Sequence, residues 1–406
     1  MNFMKTQVPA NGPPSHLTVV KIGGSLLTDK EGLQRAASAL AERRRDGGPL
    51  LVVASALQGV TDLLEQASAQ ALDRRPRNGA LGETLDSLRR RHLDMLDRSS
   101  DLDRVRSGLD EVEALVGSIR AAGEMSDTDY ARLLSCGERL SVLLLSAAIR
   151  AAGQEAQPVT AEEAGLRAAG PSRAGSCDLP ASAPGLRRMR RHLEDQVLVL
   201  TGFYGVGGDG RDGDIVLFGR GGSDDTACAV AAGLDAGRLE LWKDVPGFMS
   251  ADPREVRGAR VVREISFDEV AQMGAYGSRV VHHGCLEPLR GRSTQVFISS
   301  IPKNGATFGT RLVERRRRRA AQVVALASRR GAKSSPALIG VVGEGIAGHP
   351  GIRSRMLSCL AAAGIRGDLA VQPSGSSGLS CTLHPDDLTP ALSGLHESFF
   401  AAEVSP

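Results

Sequence analysis

Short apolar runs alternate with helical stretches along most of this chain, and that alternation narrows the fold more than any other feature. The runs are Leu17 to Ile22, Leu50 to Ala54, Val197 to Thr201, Leu239 to Trp242 and Gln295 to Ile298, each bounded by glycine or polar residues. Between them Gly32 to Arg45, Asp129 to Ala152 and Phe267 to Gly274 read as helices. The pattern predicts an α/β domain with a largely parallel sheet and helices on both faces. Such sheets bind ligands at the carboxyl ends of their strands, where the turns Gly23-Gly24 and Ser55-Ala56 fall.

Composition sets few further bounds. A chain of 406 residues with 41% hydrophobic and 24% charged residues is long enough for two domains with a sizeable core. The net charge of +3 gives no reason to expect a nucleic-acid or membrane partner. No apolar run approaches the roughly 18 residues of a membrane-spanning helix. The opening stretch from Met1 to His16 has neither a signal-type apolar region nor an arginine-rich transit pattern, and reads as a disordered tail. The 6 cysteines form no C-x-x-C pair, so neither a zinc site nor a disulfide framework is expected. A reduced, cytoplasmic protein is the expectation.

Chemistry concentrates in two later blocks. Gly219-Arg220-Gly221-Gly222-Ser223-Asp224 is followed by Trp242-Lys243-Asp244-Val245-Pro246-Gly247 and then Asp252-Pro253-Arg254. Glycine lets backbone come close to an anion, and the helix expected from Asp225 to Ala232 would aim free N–H groups at it. Upstream stand Val20-Lys21-Ile22-Gly23-Gly24-Ser25, Ser55 to Asp62, Ser135-Cys136-Gly137-Glu138-Arg139-Leu140-Ser141 and Gly202-Phe203-Tyr204-Gly205; downstream stands Tyr276 to His282. In order and approximate spacing these blocks resemble the aspartate kinase family, within the amino-acid kinase superfamily.

The resemblance implies transfer of the γ-phosphoryl group of ATP, with Mg²⁺, onto the side-chain carboxylate of L-aspartate. A carboxylate is already ionised at neutral pH, so catalysis reduces to positioning two anions and offsetting their charge. By resemblance Lys21 contacts the transferring group and Asp224 holds its ammonium. A lysine on a predicted buried strand needs such a partner, because desolvating its charge is costly. Glu138 would accept the substrate α-ammonium and Arg220 would grip its α-carboxylate, the forked guanidinium suiting two parallel hydrogen bonds. Ser55, Thr61, Phe203 and Ser223 fall at substrate-pocket positions. Gly23, Gly24, Ser25, Lys243, Asp244, Arg254 and Arg279 fall at nucleotide positions, and no protein metal-ligand set is expected. Departures from the family pattern include Ser25 and Leu26 in the first motif, Val216-Leu217-Phe218 where T-T-L is common, Met249 for a tyrosine and His283 for a proline. The lost hydroxyls bear on substrate identity. Another carboxylate- or phosphate-directed kinase of the superfamily, or a non-catalytic regulatory subunit, therefore stays open.

The rest of the chain divides as follows. Val60 to Gly123 reads as a helical insertion, either solvated or serving as a lid or dimer surface. The tail covers 1–16, the catalytic domain 17–312, and a basic linker 313–321 holds Arg315 to Arg319, a block of like charge expected to be exposed. Strands at Gln322 to Ala327, Ala337 to Gly343, Leu369 to Gln372 and Leu379 to Leu383, with helices at Ile352 to Ala363 and Asp386 to Phe399, approximate a β-α-β-β-α-β module over 322–401. That module resembles an ACT domain. Aspartate kinases usually carry two, the first inserted within the second; here the inner one is missing between Ser328 and Ala337. Reduced lysine and threonine feedback and a homodimer are the corresponding expectations.

Overall fold

The computed structural model describes residues 16–73, 79–96, 101–207, 213–219, 221–302, 309–316, 321–331, 335–370 and 376–401. These pack as two compact units. One holds the residues up to Trp242 with Pro288–Gln295; the other holds Lys243–Glu287, Val296–Pro302 and the residues from Gly309 onward.

The first unit opens with β1 (Thr18–Ile22), α1 (Lys30–Gly47) and β2 (Leu50–Ala54). Helices α2 (Val60–Leu72), α3 (Ala80–Leu93), α4 (Leu102–Ala122) and α5 (Asp127–Ala151) follow, then β3 (Ala156–Val159) and α6 (Ala161–Ala164). The chain continues through β4 (Arg167–Ala169), β5 (Ser176–Cys177), α7 (Leu179–Met189), β6 (Val197–Thr201), β7 (Tyr204–Gly207), β8 (Ile215–Leu217), α8 (Gly222–Gly233) and β9 (Arg238–Trp242). Strands β9, β1, β2, β6 and β3 lie side by side in that order, all parallel. Every residue of β1, β2 and β6 is buried. That is why they read as unbroken apolar runs rather than alternating ones: a parallel sheet covered on both faces offers no solvent side. A smaller sheet runs β5-β4-β7-β8.

Local signals fix the helix ends. Asp29 accepts a hydrogen bond from the Gly32 amide at 2.7 Å to start α1, and Ser126 with Asp129 forms a capping box at the start of α5. The insertion is helical as expected and is not merely solvated. Val105, Leu109, Val112 and Val116 form one buried stripe of α4, a helix that packs against α5. Arg150 of α5 pairs with the buried Asp101 just before α4.

The second unit holds β10 (Glu264–Ser266), α9 (Phe267–Ala275), β11 (Gln295–Ser299) from Val296 onward and β12 (Thr310–Val313); β12 pairs parallel with β10 and antiparallel with β11. After them come β13 (Ala325–Arg329), β14 (Ala337–Val342), α10 (Pro350–Ala362), β15 (Gly367–Leu369), β16 (Gly378–Leu383) and α11 (Leu388–Phe400). The four strands form an antiparallel sheet in the order β13-β14-β16-β15. Ile339, Val341, Leu379 and Cys381 on one face pack with Met356 and Leu360 of α10 and Leu392 and Leu395 of α11. The opposite face is nearly bare of side chains at Gly340 and Gly378, and the Tyr276 ring that follows α9 fills the hollow: a Cβ at Gly340 would sit 1.9 Å from it.

Three expectations shift here. The strand read from Gln322 to Ala327 lies at Ala325–Arg329, although the Val324 amide still donates to the Val342 carbonyl at 2.8 Å. The strand read from Leu369 to Gln372 is Gly367–Leu369, and 371–375 lie outside the described residues. Arg316 is not a solvated linker residue: it ion-pairs at 3.5 Å with Glu269, whose side chain is fully buried. Arg317 to Arg319 lie outside the described residues.

Candidate active site

The first unit gathers its charged groups at the carboxyl ends of β1, β2 and β6. Lys21 is the penultimate residue of β1, 6% exposed, and its Nζ lies 2.9 Å from Asp224 Oδ1 in the first turn of α8. Both side chains are buried, so each carries the cost of desolvating the other's counter-charge alone if its partner is removed. The chain then turns at Gly23-Gly24. A Cβ on Gly24 would stand 2.5 Å from the Ala56 carbonyl oxygen, so glycine is what lets the β1 turn nest against the Ser55-Ala56 turn after β2. Ser25 and Ser55 are half-buried there, and Thr61 is half-buried in the first turn of α2.

Glu138 reaches the same turn from α5. It is 3% exposed, its Oε1 accepts the Ala56 amide at 3.1 Å, and its Oε2 has no hydrogen-bond partner among the described residues. Burial pushes the carboxyl up from 4.5 to about 8, against the lowering pull of the Ala56 amide and of nearby Lys21. One oxygen is thus held and the other offered. Gly137 before it leaves room for the close approach of α5, since a Cβ there would meet Ala56 Cβ at 3.0 Å.

The glycine-rich block enters α8 through Gly221, in the left-handed region at φ 84°, and the described part of the block ends on that helix N-terminus. Phe203 also takes a positive φ, 73°, a conformation costing about 1–3 kcal/mol in a non-glycine residue. Its amide is held by Thr226 Oγ1 at 3.1 Å and its carbonyl by the Phe218 amide at 2.7 Å. Ser223 is buried against Gly202, where a Cβ would approach Ser223 Cβ at 2.7 Å. Arg220 lies outside the described residues.

Lys243, Asp244, Arg254 and Arg279 belong to the second unit. The Lys243 amide donates to the Ser299 carbonyl at 2.8 Å. Asp244 and Arg279 are exposed, and Arg254 is 88% exposed with its guanidinium on Asp252 at 2.7 Å. Among the described residues no group of three or more His, Cys, Asp and Glu side chains could hold a metal ion.

Two features of the first unit had no place among the sequence candidates. Ser141 Oγ, on α5 within a turn of Glu138, is buried without a partner among the described residues; its place in the S-x-G-E-x-x-S block was the available signal. Asp225, next to Asp224, has its carboxyl raised to about 6 by burial and by that neighbour. Nothing in its sequence context marked it.

A family model for the amino acid kinase family matches residues 16–300, and an ACT domain model matches residues 339–399. The chain belongs to the amino acid kinase family. Within that family it is 31% identical over 285 residues to an aspartokinase of Mycolicibacterium smegmatis, a match covering 70% of this chain and 54% of the relative. It is 32% identical over 308 residues to the lysine-sensitive aspartokinase 3 of Escherichia coli, covering 72% of this chain and 64% of that protein. The chain thus spans about half the length of the mycobacterial relative it matches. Among solved structures, E. coli aspartokinase III in complex with aspartate and ADP superposes with a TM-score of 0.79 at 22% identity, covering 95% of this chain and 100% of that one. The fold is therefore that of an amino acid kinase with a C-terminal ACT domain.

Proposed function

We propose that this protein is an ATP-dependent aspartate kinase forming 4-phospho-L-aspartate. One observation carries the reading: a buried Lys21–Asp224 pair stands beside a buried glutamate, Glu138, with one oxygen uncommitted. That set supplies what an amino-acid substrate and a transferring phosphoryl group need, a cation for the anion in flight and a carboxylate for an ammonium. The similarity to aspartokinases supports aspartate as the amino acid.

The nucleotide, brought with Mg²⁺, supplies the phosphoryl group: its γ-phosphorus–oxygen bond breaks, a bond forms to the aspartate side-chain carboxylate, ADP leaves, and no proton moves. The chain's own residues position and neutralise. Glu138 receives the α-ammonium and Arg220 the α-carboxylate, with Ser55, Thr61, Phe203 and Ser223 lining the pocket. Lys21, aimed by Asp224, offsets the charge of the transferring group. Gly23, Gly24, Ser25, Lys243, Asp244, Arg254 and Arg279 serve the nucleotide. Mg²⁺ bound with the nucleotide would help to neutralise its phosphates. In this reading residues 17–312 are catalytic, 313–321 link, and 322–401 form the ACT module of a cytoplasmic homodimer.

Lost hydroxyls favour a second reading in one respect: Val216, Leu217 and Phe218 are all buried, and the first two stand where the family commonly has threonines. A related carboxylate kinase would follow if the pocket has been reshaped there. Coupled ADP release across L-aspartate, L-glutamate and N-acetylglutamate separates the two. Turnover with L-aspartate alone supports the first reading, and turnover only with another acceptor refutes it.

A further inference from the structure

The second unit contains a cavity of about 890 Å³ that no part of the proposed reaction uses. One wall is the face of a three-stranded ladder on which Glu264, Arg311 and Phe297 stand in one cross-strand row. Arg263, just before β10, also lines the cavity, and its carbonyl accepts the Arg311 amide at 2.9 Å. Val323, Val324 and Phe400 line the cavity from the ACT module. None of Lys243, Asp244, Arg254 and Arg279 lines it.

Charge in the cavity is one-sided. Arg260, Arg263, Arg311 and Arg316 lie along it, and Glu264 is the acidic residue among its described lining. The four arginines are unequally committed. Arg316 is paired with Glu269, and Arg260 is fixed by the Phe400 carbonyl at 3.3 Å with its guanidinium 5.8 Å from the Phe400 ring. Arg311 reaches Glu264 only at 3.9 Å with both side chains about half exposed, a pairing of little worth in water. The Arg263 side chain is exposed and has no ion-pair or hydrogen-bond partner among the described residues. Two lightly committed guanidiniums, Arg263 and Arg311, lining one cleft with phenylalanine and valine make a site for an amphipathic anion. Guanidinium forks favour phosphate and carboxylate, and low-dielectric walls strengthen the field between them.

We propose that this cavity binds a small organic anion with an apolar or aromatic body and a phosphate or carboxylate pair, held by Arg263 and Arg311. The site is separate from the phosphoryl-transfer centre and does not rest on the aspartate kinase reading. A ligand there touches both the β10–β12 ladder and the ACT module, so it would tie them together.

The test titrates full-length protein with anilinonaphthalene sulfonate, an aromatic anion that fluoresces when bound, first without and then with saturating ADP. Saturable binding is expected, weakened about fivefold or more in Arg263→Gln and in Arg311→Gln with unchanged circular dichroism. Because the Arg263 side chain is exposed and unpaired among the described residues, Arg263→Gln keeps the test valid if Arg311→Gln misfolds. Competition then assigns the chemistry: displacement by phenyl phosphate indicates a phosphorylated ligand, and displacement by phthalate a dicarboxylate. Displacement by neither, wild-type affinity in Arg263→Gln, or loss of the dye signal on adding ADP would each overturn the proposal, the last by placing the dye in the nucleotide site.

Discussion

Replacing Glu138 with glutamine tests the site most directly, because the pH response of the native residue is set by its surroundings. The carboxyl is raised to about 8, so at pH 7 about a tenth of it is ionised. An ammonium can pair only with the ionised form, and ionising it at pH 7 costs about 1.4 kcal/mol. The KM for L-aspartate should therefore fall about tenfold between about pH 7 and pH 9, while the KM for ATP stays flat. Calorimetry in buffers of different ionisation enthalpy should show close to one proton released on aspartate binding at pH 7. Glu138→Gln should raise the aspartate KM and erase its pH dependence. Stability should move the opposite way. A carboxyl whose folded pKa lies above its unfolded value binds its proton more tightly in the native state, so its contribution falls as pH rises from about 4.5 to about 8. Glu138→Gln should then melt higher than wild type at pH 8 and gain less at pH 5. A wild-type aspartate KM that is flat across this range, with no proton released, would remove Glu138 from the ammonium site.

The remaining expectations are more compact. Lys21→Met should lower kcat by roughly 10²–10³ and destabilise the fold by leaving Asp224 buried alone; adding Asp224→Leu should restore the melting temperature without restoring turnover. Initial rates should change little with millimolar L-lysine or L-threonine, separately or together, since β13 passes to β14 through residues 330–336 with no room for an inner ACT module; strong inhibition by either would defeat that reasoning. Gly340→Ala should destabilise the second unit by about 1–3 kcal/mol through collision with the Tyr276 ring, and Tyr276→Ala should relieve the penalty in the double variant, as read by denaturant melts.

The sequence was most legible where burial is complete. Leu50–Ala54 and Val197–Thr201 are apolar end to end because neighbours cover both faces, and their boundaries were readable to the residue. The small sheet was not legible: β4, β5 and β8 are two or three residues long, too short for any periodicity to show. Glu138 could be singled out only through the resemblance of its block, since one acid in a leucine-rich helix ordinarily faces water. What the sequence withheld was the environment, a neighbouring turn that donates one amide and leaves the second oxygen bare. The arginine run was legible only in part: Arg315 is exposed as expected, while Arg316 is half-buried. A block of like charge is normally solvated, but Arg316 meets a buried acid supplied by a distant helix, and nothing local announces that partner.

That acid, Glu269, also shows how the second unit is assembled. It accepts the Ser266 amide at 2.8 Å in the capping box of α9, receives the Glu344 amide at 2.9 Å from the turn after β14, and pairs with Arg316. Three segments far apart in sequence thus converge on one fully buried carboxylate. Burial raises its pKa on balance, while the two amides and the guanidinium pull it the other way. At its other end α9 runs into Tyr276, whose ring occupies the hollow over Gly340 of β14 and Gly378 of β16. The ACT sheet is therefore gripped from one side at two points along the same helix, one a hydrogen bond to a carboxylate and one steric. A shift of β14 cannot leave α9 in place without either exposing Glu269 or opening a void under Tyr276. Both costs are of the kind that make packed elements move together rather than deform separately. Residues Gly277 to Arg279, in the segment proposed to serve the nucleotide, follow Tyr276 directly in the chain.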